Sequence, residues 1–381
     1  MIEDEIDPTS SGSDSRIRSI DILKGAAIIG VITAHIALVQ NQGGISSGEY
    51  SIGELFYAAL PMFFVIMGYF YKPGNSLLYN YRTRVLYLLL GFVAFTVILT
   101  LLMYGYLLLL GYDLSGTDLW GDILTMLIGK SCFKDISSIA FTGERILAVY
   151  EVTHQFYFLQ IMIVGYVIFY PIVDHVISDW RKTFAAVIIL GAISGIYIEA
   201  IGLQLPFLAQ DGPIVAALML IGAYMGKHNV TEYLETGYRE RRYWILFAAF
   251  LILALVCIYL IPTKLSIIYS MFGEYGGWST IPFLLISMSC GMVLFYLAAW
   301  VSKVPYVSGF LMYLGKECLW IFVFHMFVAK ALIAPFIPLN TTDWIPIDSI
   351  WQGILLTVVT VAVILVFVEA AHYLSRKYVK C

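Results

Sequence analysis

Three ionisable residues lie in the first apolar stretch of the chain, where a charged side chain is costly. Asp21, Lys24 and His35 all occur in the segment SIDILKGAAIIGVITAH, and such groups within membrane-type segments are rare and tend to be functional. Lys24 and His35 are eleven positions apart. On an α-helix their side chains therefore point the same way within ~20°, with an axial rise of ~16 Å. Asp21 lies one turn before Lys24 and can pair with it.

This spacing is typical of a site that holds an anion at one end and transfers a proton at the other. An imidazole in a low-dielectric site is pushed toward its neutral form, which is the form that a general base requires. Lys24 would hold an anionic cosubstrate whose reactive end reaches His35. A simpler interpretation is that Lys24 extends its ammonium to the lipid headgroups and that His35 hydrogen bonds to a neighbouring helix. For His35 we favour the functional interpretation.

The composition excludes a soluble protein. Of the 381 residues, 60% are hydrophobic and 13% are charged, against about 45–50% and about 25% in soluble domains. A soluble enzyme, a nucleic-acid-binding module, a disordered protein and a secreted disulfide scaffold are thereby ruled out. The five cysteines are scattered without a C-x-x-C pair, so neither a metal site nor a disulfide framework is predicted.

Ten stretches are apolar enough to cross a bilayer, which takes about 20 residues of helix. They are residues 19–40, 54–71, 85–112, 156–176, 183–203, 213–226, 243–261, 281–300, 309–333 and 350–373. The long aliphatic runs favour helices over the alternating strands of a barrel. The sequence predicts an all-α polytopic bundle of about ten transmembrane helices.

The lysines and arginines predict the orientation of these spans. With the N-terminus inside, sixteen of them fall in cytoplasmic segments, two (Lys316 and Lys330) fall in the ninth span, and four fall in outer loops. The four outer cations are Lys130, Lys134, Arg145 and Lys264. This is a strong positive-inside bias, and it predicts an N-in, C-in protein of the cell membrane.

The segments outside the spans are short, with two exceptions. Residues 1–18 are predicted to be a polar, disordered cytoplasmic tail, residues 19–375 the membrane domain, and residues 376–381 a basic cytoplasmic tail. The outer loop 113–155 contains WGDILTMLIG, which is too short to span and predicts an interfacial or re-entrant helix. That helix is interpreted either as a lid packed on the bundle or as part of a substrate site. The cytoplasmic loop 227–242 has a basic end that suits anionic headgroups.

Further ionisable and aromatic residues are weaker candidates for a site. His325 is in the middle of the ninth span and is the second functional histidine, with a possible role as oxyanion donor. Glu151, His154 and Tyr157 lie at the predicted outer mouth, beside the start of the fourth span, where a hydrophilic acceptor would arrive.

Residues 18–35, RSIDILKGAAIIGVITAH, resemble the opening of the integral-membrane acyltransferase-3 family, with an aspartate, a cation followed by glycine, and a histidine eleven positions after that cation. Further segments agree in order along most of the chain. They are PMFFVIMGY (61–69), YRTRVLYL (81–88), FYFLQ (156–160) and LGKECLWIFVFH (314–325).

The resemblance implies a ten-span enzyme that moves an acyl group, commonly acetyl, from cytoplasmic acyl-coenzyme A to a hydroxyl of a cell-surface glycan. In some members the acceptor is a small molecule or an amine. His35 matches the family's essential histidine, Asp21 its aspartate and Lys24 its cation. Arg82 and Arg84 match its third-helix basic residues, which would help to hold the coenzyme's phosphates. Acyl-coenzyme A would be a cosubstrate, and no permanently bound cofactor is expected.

Three positions differ from the family's usual residues. Lys24 stands where arginine is usual, and Met67 and Cys318 stand where serines are usual. Lysine keeps the charge but lacks the fork that binds phosphate through two hydrogen bonds. The alternative to an acyltransferase is a secondary transporter of a sugar-like or anionic substrate, although such proteins typically show inverted repeats and broken helix pairs.

Overall fold

The computed structural model describes residues 17–38, 59–111, 114, 119–128, 154–201, 205–260, 280–333 and 350–378, and all regular secondary structure in these ranges is helical. The helices are α1 (Arg18–Leu38), α2 (Ala59–Tyr69), α3 (Leu77–Leu109), α4 (Leu119–Ile128), α5 (Tyr157–Val176), α6 (Trp180–Ala200), α7 (Gly212–Lys227), α8 (Val230–Thr236), α9 (Arg241–Leu260), α10 (Thr280–Val301), α11 (Pro305–Lys316), α12 (Cys318–Phe327) and α13 (Ile350–Tyr378).

Several of these helices have the length and composition of membrane spans. Six segments of the described chain are long and apolar enough to cross a bilayer, and α11 with α12 makes a seventh if the bent pair is one span. The six are α3, α5, α6, α7 with its lead-in from Pro206, α10 and the part Ile354–Leu374 of α13. Each of the ten predicted spans contains a described helix. The protein is thus an all-α polytopic membrane protein, while the count of ten crossings and their orientation stay predictions.

The helical segment at the sixth predicted span is longer than the predicted residues 213–226. A 3₁₀ segment, Pro206–Asp211, precedes α7 and extends the apolar helical segment to 22 residues, Pro206–Lys227. Phe207 and Leu208 both have positive φ angles within this segment. All residues from Ile214 to Leu220 are completely buried, so α7 is surrounded by other helices rather than by lipid.

The prediction of one straight helix over the ninth span, residues 309–333, is wrong. The chain bends by 73° between α11 and α12 at Glu317. A straight helix would carry Lys316 and Glu317 through an apolar run, and the bend instead leaves Lys316 exposed. After α12, residues Val328–Ile333 continue as a π-helix.

The short helix predicted in the outer loop is present as α4, packed on the bundle. The Tyr104 hydroxyl of α3 donates a hydrogen bond to the Asp122 carboxylate of α4. Gln160 Nε2 of α5 donates to the backbone carbonyl of Met126 at 3.1 Å. These contacts support the interpretation of α4 as a lid packed on the helices below it.

Glycines allow two pairs of helices to touch through their backbones. A Cβ atom at Gly222 of α7 would overlap the backbone of Val65 in α2, and one at Gly68 of α2 would overlap the backbone of Met219. A Cβ at Gly25 of α1 would likewise overlap the backbone of Leu311 in α11. Close approach at small residues is the usual basis of helix packing in membranes. The contacts of α7 with α2, α5 and α6 therefore form the centre of the bundle.

We expect Gly222→Ala to lower the free energy of unfolding by about 1–3 kcal/mol, because the added methyl group overlaps backbone that cannot move aside. The matched control is Gly105→Ala on α3, where a Cβ meets nothing within 4 Å and alanine favours the helix by about 1 kcal/mol. The measurement is the thermal unfolding midpoint in detergent. Equal midpoints for the two variants would contradict this account of the α2–α7 contact.

Candidate functional site

The ion pair predicted on the first helix is present. Lys24 Nζ lies 3.3 Å from Asp21 Oδ1, one turn earlier on α1. The Asp21 side chain is 6% exposed and that of Lys24 is 20% exposed. Lys24 Nζ also lies 5.1 Å from the centroid of the Phe70 ring, at a distance typical of a cation–π contact. The ammonium is therefore held between a carboxylate and an aromatic face while part of it stays accessible.

The bend in the ninth span lies beside this ion pair. Gly315, near the end of α11, packs against the backbone carbonyl of Asp21. Cys318, the first residue of α12, is close enough to Lys24 and Asp21 to interact with both electrostatically. The amino end of α12 thus begins next to the charged pair, and the amino end of a helix carries partial positive charge.

Arg82 and Arg84 lie on an unusual piece of helix at the start of α3. Residues Tyr81–Val85 form a π-helix, a local widening that occurs frequently at functional sites. Both arginines are exposed. Arg84 also lies within electrostatic range of the tyrosines Tyr166 and Tyr170 on α5.

The turn after α2 connects the two cationic positions. Phe70 lies under Lys24, and the next residue, Tyr71, has its ring 6.2 Å from that of Tyr170. Since Tyr170 in turn lies near Arg84, Lys24 and Arg84 are on either side of residues 70–71. A run of contacts through Phe70, Tyr71 and Tyr170 therefore leads from Lys24 to Arg84.

The two candidate histidines lie on helices that touch each other, α1 and α12. His35 is in the last turns of α1, and its side chain is outside the described part of the structure. His325 is buried, and its Nδ1 lies 2.7 Å from the backbone carbonyl of Phe322. Because a carbonyl oxygen only accepts hydrogen bonds, Nδ1 carries the proton, and in the neutral ring Nε2 is then the acceptor.

The predicted acceptor residues are only partly described. Glu151 lies outside the described residues, and so does the side chain of His154, whose backbone begins the 3₁₀ segment His154–Phe156. Tyr157 is described, and its side chain is 6% exposed within the bundle. The contact of Tyr157 with the acceptor stays a prediction.

Sequence reasoning missed several residues of the site. Phe70 and the tyrosines Tyr71, Tyr166 and Tyr170 have no motif of their own, and the many aromatic residues of the chain fit interfacial belts equally well. The only signal in the sequence was the position of Phe70 and Tyr71 directly after the segment PMFFVIMGY. The buried Asp211 was missed because it lies just before the predicted span 213–226.

The comparison with known families agrees with this arrangement. The profile of the acyltransferase-3 family, described as an acyltransferase domain, matches residues 17–369. No curated protein matches the chain significantly. The matched region begins just before α1 and ends within α13, so it includes the ion pair, the π-helical arginines and His325. The chain therefore belongs to the acyltransferase-3 family and is a membrane acyltransferase.

Proposed function

We propose that the protein transfers an acyl group, in the simplest case acetyl, from cytoplasmic acyl-coenzyme A to a hydroxyl of a cell-surface glycan or related carbohydrate, and that it acts in the cell membrane. The observation that carries this proposal is the run of contacts that leads from Lys24 through residues 70–71 and Tyr170 to Arg84. Cations on neighbouring elements repel one another, and an anionic ligand bound between them would offset that repulsion.

The coenzyme's phosphates are the natural ligand for this cationic region. Charge-assisted hydrogen bonds from ammonium and guanidinium groups to phosphate are among the stronger polar contacts in proteins. Lys24 supplies a single point of charge, and Arg84 and Arg82 supply planar groups that bind phosphate oxygens in pairs. The amino end of α12 adds partial positive charge at the same place.

The two histidines are placed to act deeper in the bundle. His35 follows Lys24 by ~16 Å of helical rise, and His325 follows Cys318 by ~10 Å. A thioester arm held by its phosphates at Lys24 would thus extend toward both imidazoles. The Nδ1–H tautomer of His325 favours a role in accepting a proton or hydrogen bond at Nε2, rather than the oxyanion-donor role considered from the sequence.

The chemical step would be a direct acyl transfer. The acceptor oxygen attacks the thioester carbonyl as His35 removes its proton, the carbon–sulfur bond breaks, and the coenzyme leaves as a thiolate that takes up a proton. Asp21 acts through Lys24, because its carboxylate fixes the position of that ammonium. A route through an acyl-histidine intermediate uses the same residues. Glu151, His154 and Tyr157 remain proposed contacts of the acceptor.

The first test of the proposed function concerns His35. We expect full-length protein in lipid nanodiscs to release coenzyme A thiol from acetyl-coenzyme A, and His35→Ala to lower this rate by about 100-fold or more, since general-base catalysis contributes about 10²–10⁴-fold. His175→Ala is the control, because His175 is exposed near the carboxyl end of α5. The proposed acceptor residues lie at the amino end of that helix. Equal rates for wild type and His35→Ala would refute the enzymatic role of His35. Uptake of a sugar into liposomes without coenzyme A would favour transport instead.

The second test of the proposed function distinguishes binding of the coenzyme's phosphates from the acyl-transfer step. We expect Lys24→Met and Arg84→Gln each to raise the KM for acetyl-coenzyme A by about tenfold, as a lost hydrogen bond to a charged group does, with a smaller effect on kcat. Turnover of S-acetylpantetheine, which has no nucleotide phosphates, should be unchanged in both variants.

Two further variants complete this test. Lys24→Arg restores the family's usual residue and should keep KM near the wild-type value. Arg181→Gln, at the exposed start of α6, should leave KM unchanged. If KM rises equally for acetyl-coenzyme A and S-acetylpantetheine, then Lys24 and Arg84 do not bind the phosphates.

A further inference from the structure

Asp211 is a buried carboxyl group for which the described structure supplies no hydrogen-bond donor. It is completely buried, and neither of its carboxyl oxygens is bonded within the described residues. Asp211 occupies the N-cap position of α7 but makes no capping bond. An aspartate there usually accepts from the N–H groups of the second or third helical residue, and the second residue here is Pro213, which has no N–H.

Four more polar side chains on neighbouring elements share this property. Thr96 and Thr100 lie one turn apart on α3, fully buried, and neither hydroxyl is bonded within the described residues. Gln155 and Gln160, before and within α5, donate through Nε2 to backbone carbonyls, but their Oε1 atoms accept nothing from the described residues. Buried polar groups are nearly always hydrogen bonded, so each exception calls for an explanation.

Aromatic contacts show that these polar groups surround one place in the bundle. The ring of Phe92 on α3 lies 6.5 Å from that of Phe156 and 6.1 Å from that of Phe207. Phe92 is one turn before Thr96, Phe156 directly follows Gln155, and Phe207 is four residues before Asp211. Residues one turn apart on a helix have Cβ atoms about 5–6 Å apart. Thr96, Gln155 and Gln160 therefore lie close to rings that contact one another, Thr100 follows one turn further along α3, and the segment that ends at Asp211 packs against α5 and α4.

The region around these polar groups is covered by α4 and lies next to His325. Helix α4 contacts α3 and the segment Pro206–Asp211, and it receives the hydrogen bond from Gln160. These are the elements that supply the unsatisfied polar groups. On another side, Phe156 lies 6.5 Å from Phe322 of α12, one turn before His325. The polar groups are thus enclosed between the lid helix and a candidate catalytic histidine.

We infer that this cluster, Thr96, Thr100, Gln155, Gln160 and Asp211, is the binding site for the hydroxyl-bearing acceptor, with the Asp211 carboxyl group accepting a hydrogen bond from a substrate hydroxyl. The inference rests on the proposed acyl transfer and assigns its acceptor side. The polar atoms of the cluster are fully covered in the structure, so the inference requires α4 to move away when the ligand enters.

The chemistry of the cluster selects the class of ligand. Its six unsatisfied atoms are two carboxyl oxygens, two amide oxygens and two hydroxyls, and all of them can accept hydrogen bonds. A matching ligand must therefore present several donors. An uncharged sugar does so with its hydroxyls, whereas an anionic ligand would bring a charge into a buried cluster that contains no cationic side chain.

The test measures binding without catalysis, on the full chain in lipid nanodiscs, by equilibrium dialysis of p-nitrophenyl β-glucoside. We expect saturable binding to wild type, weakened about tenfold or more by Asp211→Leu and several-fold by Thr96→Val, since each removes a buried hydrogen bond. Thr360→Val is the matched control, because Thr360 of α13 is equally buried and its hydroxyl is also unbonded within the described residues. The negatively charged p-nitrophenyl β-glucuronide should bind much more weakly than the glucoside.

Stability provides a second readout that distinguishes a ligand site from a structural carboxyl group. Replacing an unpaired buried carboxyl by an apolar group of similar size is neutral or stabilising, so we expect Asp211→Leu to unfold at or above the wild-type midpoint. Asp211→Asn, which keeps the size and one acceptor oxygen, should bind the glucoside with intermediate strength.

Three outcomes would overturn the inference. They are the absence of saturable glucoside binding to wild type, wild-type binding by Asp211→Leu, and a lowered unfolding midpoint in both Asp211 variants. Since the assay contains no coenzyme A, it is independent of whether wild type transfers an acetyl group. A failure of the proposed enzymatic activity would therefore be recognised separately.

Discussion

The backbone contact between α2 and α7 is the constraint on which the rest of the structure depends. Lipid is as apolar as the helix surfaces, so helices gain little from hiding those surfaces from it and associate through close packing instead. Gly68, Gly222 and Gly226 provide that close packing, because at each of them a side chain would overlap the facing backbone. Gly226 packs against the carbonyl of Tyr69, and the Tyr69 hydroxyl is also hydrogen bonded to Thr231 of α8. The end of α2 is thereby fixed, and with it the turn that lies between Lys24 and Arg84.

A second backbone contact fixes the other side of the same site. Gly25 and Gly315 bring α1 and α11 together, and Arg18 Nη2 donates to Ser308 Oγ at 2.6 Å across the same pair. The consequence is that the bend at Glu317 lies at Asp21 and Lys24 rather than elsewhere along α1. The α2–α7 and α1–α11 contacts therefore both fix the region around Lys24. The first does so through the turn at residues 70–71 and the second through the bend at Glu317. Binding of the proposed acyl-coenzyme A would benefit from such rigidity, since less conformational freedom would be lost on binding.

The sequence predicts the features that depend on the spacing of nearby residues. It does not predict the features that depend on tertiary contacts between distant residues. The helices follow from long apolar runs, and the Asp21–Lys24 pair follows from three-residue spacing on a helix. The bend at Glu317 could not be predicted, because it contains no proline and depends on how α11 packs against α1. The association of Arg84 with Tyr166 and Tyr170 joins residues about eighty positions apart, which a single sequence cannot reveal. Asp211 was missed because a carboxylate at a span boundary is ordinarily solvated, and only the packing around α7 shows that it is buried.

The three departures from the family's usual residues are less scattered in space than along the chain. Cys318 lies beside Lys24, and Met67 is one turn before Phe70, whose ring lies under the Lys24 ammonium. All three therefore lie on or near the proposed phosphate site, while His35 and the two arginines match the family. Relative to the residues expected from the resemblance, Lys24, Met67 and Cys318 remove hydrogen-bond donors but keep the positive charge. The proposed phosphate site would therefore bind its anion mainly through charge, with the Lys24 ammonium held over the Phe70 ring.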